Sequence, residues 1–247
     1  MRVGVADYGL NVWDGALYDT EERLRTLASL GYEGTERLEA AGSEEALSKA
    51  ALYRRLGMGF ATVRGPSAET TIRWSAAMGC AYVWALGGAR DLEGFCRQVR
   101  RQCEACAPLG LRVAVHNHLG TPVESQEQTE EMLERCPDAL LVFDTAHLAA
   151  AGGDAVALAQ RHAARVAAVH VKDWLTTDPQ APLSEWTRRG RFCELGAGNA
   201  GLDNAAVLAA LREQGWDGWV FVEQDTHLRS PHLDLTVSRD YLRRAGI

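Results

Sequence analysis

Long apolar runs are missing from this sequence. None approaches the roughly 20 residues that cross a bilayer as a helix, so no membrane partner is expected. Positive charge is short as well. The 26 Lys and Arg are outnumbered by 33 Asp and Glu, for a net charge of −7. A chain that grips a phosphate backbone needs a basic face, which argues against a nucleic-acid partner. No GxGxxG opens the first helical segment, which counts against an open, doubly wound, dinucleotide-binding sheet. No linker or low-complexity tract divides the chain, so one domain over residues 1–247 is expected. The 6 cysteines lack a zinc pattern. Cys103 and Cys106 have CxxC spacing, but they lie in a helical stretch with no second pair nearby. Residues 1–6 enter a strand directly, so no signal peptide is expected, and the cytoplasm is the default compartment.

What the chain does have is one design used repeatedly. A short apolar run ends in polar side chains able to bind a metal. It occurs at Val113-Ala-Val-His-Asn-His-Leu-Gly-Thr121, Leu140-Leu-Val-Phe-Asp-Thr-Ala-His147, Val166-Ala-Ala-Val-His-Val-Lys-Asp173 and Trp219-Val-Phe-Val-Glu-Gln-Asp225. Of the 7 His, His116, His118, His147, His170 and His227 lie at or just past such ends. Strands are predicted over 2–6, 32–37, 58–63, 81–86, 111–116, 140–144, 166–171 and 218–223. Helical stretches follow them. Thr20 and Ser43 each precede paired glutamates and are read as helix caps; Gly31 and Gly57 are stops. Further helices are predicted over 67–78, 91–109, 125–136, 154–162, 203–214 and 230–244. Eight alternating units imply an α/β chain folded as a (β/α)8 TIM barrel.

Two connections stand out. Residues 7–19 carry Tyr8 and Trp13 and can present aromatic faces to a site. Residues 175–201 form a 27-residue connection with Trp186, Phe192, Arg188, Arg189 and Arg191. Loops longer than about 12–15 residues are usually functional, and this one is read as a lid.

Alternation along each strand puts His116 on the face of Ala114, Asp144 on that of Val142, His170 on that of Ala168 and Glu223 on that of Phe221. If those faces point inward, two imidazoles and two carboxylates meet at the C-terminal mouth of the barrel. That donor set suits one divalent ion, Mn²⁺ or Co²⁺ first, with Mg²⁺, Fe²⁺ or Zn²⁺ as alternatives. A lone Asp or His at a strand end is commonly a helix cap. Four on separate strands, 28, 26 and 53 residues apart, are harder to read as caps. His147 and Lys172 are acid/base candidates, and Glu36 is a third. The alternative for Lys172 is a salt bridge to a strand-end carboxylate. His118, Glu36 and Trp174 are assigned to substrate binding.

The chain resembles the xylose-isomerase-like barrels of the sugar phosphate isomerase/epimerase superfamily, and within it the myo-inosose dehydratases. The resemblance rests on His116-Asn-His-Leu-Gly-Thr121, Asp144-Thr-Ala-His-Leu148, Ala151-Gly-Gly153, His170-Val-Lys-Asp173, Gly196-Ala-Gly198 and Val222-Glu-Gln-Asp225. In the first half it rests only on Gly31-Tyr-Glu-Gly-Thr-Glu36. It implies a divalent metal at His116, Asp144, His170 and Glu223, with His147 contacting substrate. Most epimerases of the superfamily carry Glu where His116 stands, whereas inosose dehydratases carry His.

The leading expectation is a metal-dependent lyase that dehydrates a cyclic polyhydroxy ketone through an enediolate, with Glu223 or Lys172 as base and His147 as acid. Elimination from a keto-glycoside is a close variant. The alternative is a metal-dependent isomerase or epimerase of a ketose. An endonuclease is disfavoured by the negative charge. A binding module is disfavoured by the acid/base groups around the metal site. The partner is a small polyhydroxy ketone, and the residues leave self-association into a homo-oligomer open.

Overall fold

Apolar, β-branched segments pair in parallel to form a single eight-stranded sheet. The structure, a computed structural model, describes every residue except Asp7, Ala16 and Thr226. The barrel strands are β1 (Arg2–Val5), β2 (Gly34–Glu39), β3 (Gly59–Arg64), β4 (Tyr82–Trp84), β5 (Arg112–His116), β6 (Leu140–Asp144), β7 (Val166–Val171) and, after a hairpin of β8 (Asp173–Thr176) and β9 (Gly190–Cys193), β10 (Trp219–Val222). The hydrogen-bonded order is β3-β2-β1-β10-β7-β6-β5-β4. This is the barrel that eight alternating units imply. Side chains bridge its remaining seam. The Tyr82 hydroxyl and the Trp84 indole N–H of β4 both donate to Glu36 of β2.

Strand alternation sorts the two faces. Val113, Val115, Leu141, Phe143, Val169, Val171, Val220 and Val222 point outward into the core shared with the helices. Ala114, Val142, Ala168 and Phe221 point inward with Ala6, Ala61 and Tyr82. The small inward residues leave room for Phe221 and Trp219, which stack at 5.2 Å. The next inward positions on the same four strands are His116, Asp144, His170 and Glu223. Layer packing of the barrel therefore lifts these residues to its mouth.

Around the sheet lie α1 (Tyr8–Trp13), α2 (Thr20–Leu30), α3 (Ser43–Arg55), α4 (Ala68–Ala77), α5 (Leu92–Cys106), α6 (Gln126–Arg135), α7 (Thr145–Ala150), α8 (Ala155–His162), α9 (Trp186–Arg189), α10 (Asn204–Glu213) and α11 (Pro231–Arg244). Asp19, rather than Thr20, caps α2 by accepting from the Glu22 N–H. Gly42 precedes α3 without a side-chain cap, and Ser43 is its first residue. Gly31 ends α2 at φ 90°, where its N–H reaches back to the carbonyls of Leu27 and Ala28. None of the helices is long and apolar enough to cross a membrane among the described residues.

Four differences from the sequence reading bear on the site. β2 runs two residues later than predicted, so Glu36 sits mid-strand, deep in the barrel, instead of near the rim. β4 stops at Trp84, because the Gln102 side chain from α5 takes over the hydrogen bonds of the Trp84 carbonyl and the Leu86 N–H. The connection 7–19 contains α1. Tyr8 reaches the cavity described below, whereas Trp13 packs edge-on against His227 at 6.1 Å. Asp7 and Ala16 of that connection lie outside the described residues. The connection 175–201 is largely ordered as the antiparallel β8–β9 hairpin, with a 3-10 turn (Leu183–Glu185) and α9 at its tip.

Candidate metal centre

His116, Asp144, His170 and Glu223 converge, and their donor atoms all lie within 4.8 Å of one another. His116 Nε2 is 3.2 Å from Asp144 Oδ2. His170 Nδ1 is 2.9 Å from Glu223 Oε2 and 3.9 Å from Asp144 Oδ2. Donors bound to one ion at about 2.0–2.2 Å lie at most about 4.4 Å apart. A contraction of a few tenths of an ångström would therefore bring the group into range. Two imidazole nitrogens and two buried carboxylate oxygens fit a divalent cation.

Asp144 also behaves as a helix cap. Its Oδ1 accepts from the His147 N–H at the start of α7, while Oδ2 faces the cluster. The cap and ligand readings therefore coincide in one side chain. Asn117 fixes this residue further. Its amide N–H donates to the Asp144 carbonyl at 2.9 Å, and its amide oxygen accepts from the Asp144 N–H at 2.8 Å.

Lys172 is fully buried among carboxylates. Its Nζ is 2.9 Å from Asp144 Oδ2, 2.6 Å from Glu223 Oε2 and 2.9 Å from Asp225 Oδ2. Burial opposes the ammonium, but Asp144, Asp225 and Glu223 outweigh it and hold the pKa well above its ordinary value. The salt-bridge reading of Lys172 is the one the geometry supports, and an ammonium so held does not accept a proton. Burial likewise pushes the Asp144 and Glu223 carboxyls up. The Lys172 ammonium and the adjacent imidazoles win and keep both ionised. Burial pulls the His116 imidazole down, the Asp144 hydrogen bond only partly offsetting it.

Beneath the cluster, Glu36 Oε1 lies 3.0 Å from His170 Nε2, with both side chains fully buried. Glu36 therefore addresses His170 and is not among the residues lining the cavity. Trp174 was also expected to meet substrate. Instead it is buried against Phe192 at 4.9 Å, and its indole N–H donates to Thr176 Oγ1 within the hairpin. Strand pairing of Asp173 with Cys193 and of Trp174 with Phe192 draws it into that cluster.

The two remaining histidines stack at 3.7 Å. His147 is fully buried behind His118 and is covered by Phe192 at 4.4 Å. Its Nδ1 accepts from the Leu119 N–H, so Nε2 carries the proton. Burial first, then the Lys172 charge, holds this imidazole well below its usual pKa. His118 is the one on the cavity wall, with its Nδ1 donating to the Leu119 carbonyl at 2.6 Å. Gly196-Ala-Gly198 serves the backbone. The Gly196 N–H binds the Asp173 carboxylate, and a Cβ on Gly198 would lie 2.2 Å from the same group.

A cavity of about 560 Å³ opens above the centre. His116 and Glu223 reach its wall, whereas Asp144 and His170 lie below. Trp84, Asp225, Arg37 and, from the hairpin, Trp186 and Arg191 complete much of the lining. Sequence reasoning missed Trp84 and Arg37, which lie on strands whose ends carry no histidine.

The fold and site together define a parallel β/α barrel with a two-histidine, two-carboxylate centre at its C-terminal mouth. Residues 66–245 match the family model described as xylose isomerase-like TIM barrel, and the chain belongs to that family. It is 30% identical to an inosose dehydratase of Geobacillus kaustophilus over 164 residues, 62% of this chain and 53% of that protein. It is 31% identical to the rhizopine catabolism protein MocC of Rhizobium meliloti over 152 residues, 58% of this chain and 45% of that protein. The chain thus spans about half the length of the curated relatives it matches. Solved structures share its fold, among them the following two. The probable 3-DHS dehydratase AsbF of Bacillus anthracis aligns with a TM-score of 0.74 at 15% identity, covering 98% of this chain and 99% of that one. The IOLI protein with a bound zinc atom aligns at 0.70 and 16% identity, covering 99% and 98%.

Proposed function

We propose that this chain is a divalent-metal-dependent lyase that removes water from a keto-cyclitol, such as 2-keto-myo-inositol, or from a related keto-sugar. One observation carries the reading. Of the two carboxylates in the ligand set, only Glu223 reaches the cavity wall, where the other ligand is the imidazole of His116; Asp225, the further carboxylate on that wall, is outside the ligand set and tied to Lys172 Nζ at 2.9 Å. An epimerase needs a base on each face of the reacting carbon. An imidazole whose nitrogen is given to a cation takes no proton. One carboxylate suffices for removal of an α-proton followed by departure of a β-hydroxyl.

A divalent cation held by His116, Asp144, His170 and Glu223 would supply Lewis-acid stabilisation of charge developing on the ketone oxygen. Glu223 takes the α-proton. Lys172 keeps Glu223 ionised and in place through its 2.6 Å contact. His118, exposed to the cavity where His147 is not, delivers a proton from Nε2 of its doubly protonated ring to the departing hydroxyl, which leaves as water, while Nδ1–H stays on the Leu119 carbonyl. Trp84 and Trp186 cover the bound ring and limit water entry.

The test is product analysis in deuterated water with added Mn²⁺ or Co²⁺. The dehydrated diketone should form, and chelator should abolish it. Rapid epimerisation of a ketohexose with solvent label at the inverted carbon, and no eliminated product, would establish the isomerase alternative instead.

A further inference from the structure

The hairpin carries three arginines in four positions, and they have different fates. Arg188 pairs with Asp178 and Glu185. Arg189 donates to the carbonyls of Pro179 and Ala181. Arg191, half-buried on the cavity wall, makes no side-chain hydrogen bond or ion pair among the described residues. A second guanidinium reaches the same cavity from the barrel. Arg37 lies 5.3 Å from the Trp84 ring, with Nε 3.8 Å from Glu39.

A guanidinium on such a wall loses hydration when substrate fills the cavity, and a neutral polyol returns no charge to it. The two ends of the cavity also differ. Glu223 and Asp225 on the inner side are already paired with the Lys172 ammonium, whereas Arg191 on the hairpin side has no counter-ion among the described residues. A substrate whose carbonyl faces the inner side can therefore set an anionic group against Arg191 at its other end. We infer that the substrate carries an anionic group, a carboxylate or a phosphate, and that Arg191 receives it from the hairpin side. This rests on the lyase reading above and narrows its substrate to an anionic keto-cyclitol or keto-sugar.

Calorimetric binding to the full chain with Mn²⁺ tests it on two matched pairs of probes. One pair is quinate and its methyl ester; the other is myo-inositol 1-phosphate and myo-inositol. The charged member of at least one pair should bind about tenfold or more tightly than its neutral twin. The pair that shows the preference identifies carboxylate or phosphate. Arg191→Gln should remove the preference without altering Mn²⁺ affinity, which also reports an intact fold. Arg191→Lys should retain part of it. Equal binding within both pairs, no binding of either anion, or an Arg191→Gln loss shared by charged and neutral probes would overturn the inference. Elimination from a neutral keto-cyclitol without any anion preference retires this inference alone. Anion preference without an eliminated product retires the lyase reading alone.

Discussion

Oε1 of Glu36 lies 3.0 Å from Nε2 of His170, and neither side chain meets solvent. The other ring nitrogen, Nδ1, faces Glu223 and Asp144. Glu36 thus places a carboxylate beside Nε2 while Nδ1 is the nitrogen turned toward the other candidate ligands, and the Tyr82 hydroxyl and Trp84 indole hold Glu36 in turn. Partners of this kind commonly contribute 10- to 100-fold to metal affinity. Glu36→Gln should therefore weaken Mn²⁺ or Co²⁺ binding by about that factor while leaving the cavity lining intact. An unchanged Kd in isothermal titration would remove Glu36 from the centre.

Asn117 gives a stability prediction. Its amide satisfies both backbone groups of Asp144 in a fully buried setting. Asn117→Ala strands an N–H and a carbonyl, each at roughly 1–3 kcal/mol, so about 2–6 kcal/mol should be lost in denaturant unfolding. Metal affinity should fall with it, because Asp144 loses its anchor. A variant as stable as the parent would mean that water or local shifts replace both bonds.

The sequence carried the barrel because one physical rule, strand alternation, governs both burial and site. Ala114, Val142, Ala168 and Phe221 fill the barrel interior, so His116, Asp144, His170 and Glu223 share its mouth. Glu36 was misjudged for a local reason. Gly34 begins β2 two residues later than the apolar pattern suggested, which moves Glu36 from rim to interior. Trp174, His147 and His118 were beyond reach of periodicity. Their exposures depend on how the β8–β9 hairpin folds back, and cross-strand pairing across a 13-residue gap leaves little trace in the spacing of residues 175–201.

The pH dependence follows from His170. Burial pulls this imidazole down, but Glu36 and Glu223 outweigh it and raise it from 6.5 to about 10. A folded value above the unfolded one stabilises the metal-free protein fully below about 6.5, and that contribution is lost as pH rises through about 10. A cation must displace the proton on Nδ1, so binding releases a proton and metal affinity should climb with pH inside this window. Mn²⁺ titrations at about pH 7 and about pH 9, in buffers of different ionisation enthalpy, measure both effects. Equal affinities at the two values, with no proton released, would contradict the assignment.

The hairpin should respond to ligand. Trp186 lies 6.3 Å from His118 and Phe192 lies 4.4 Å from His147, whereas Arg188 is 58% exposed at the tip. Trypsin should cut after Arg188 in the free protein, and a bound polyol packed beneath Trp186 should slow that cut. Equal cleavage at saturating ligand would make the segment a surface excursion and not a lid.

Glu223 offers the sharpest separation of holding a cation from moving a proton. It alone joins a ligand position to a carboxylate on the cavity wall. Glu223→Gln keeps the side-chain length and one carbonyl oxygen, so it should still bind Mn²⁺, though more weakly, since His116, Asp144 and His170 remain. It cannot accept the α-proton. At Mn²⁺ concentrations that saturate the variant, solvent deuterium should therefore fail to enter unreacted substrate, and elimination should fall by at least about 10²-fold, the usual scale of a lost general base. Glu36→Gln under the same saturating metal should recover most of its turnover, because its defect is in holding the ion. If Glu223→Gln also recovers once metal is saturating, Glu223 is a ligand only. The base must then be sought on the cavity wall, with His118 the first residue to replace.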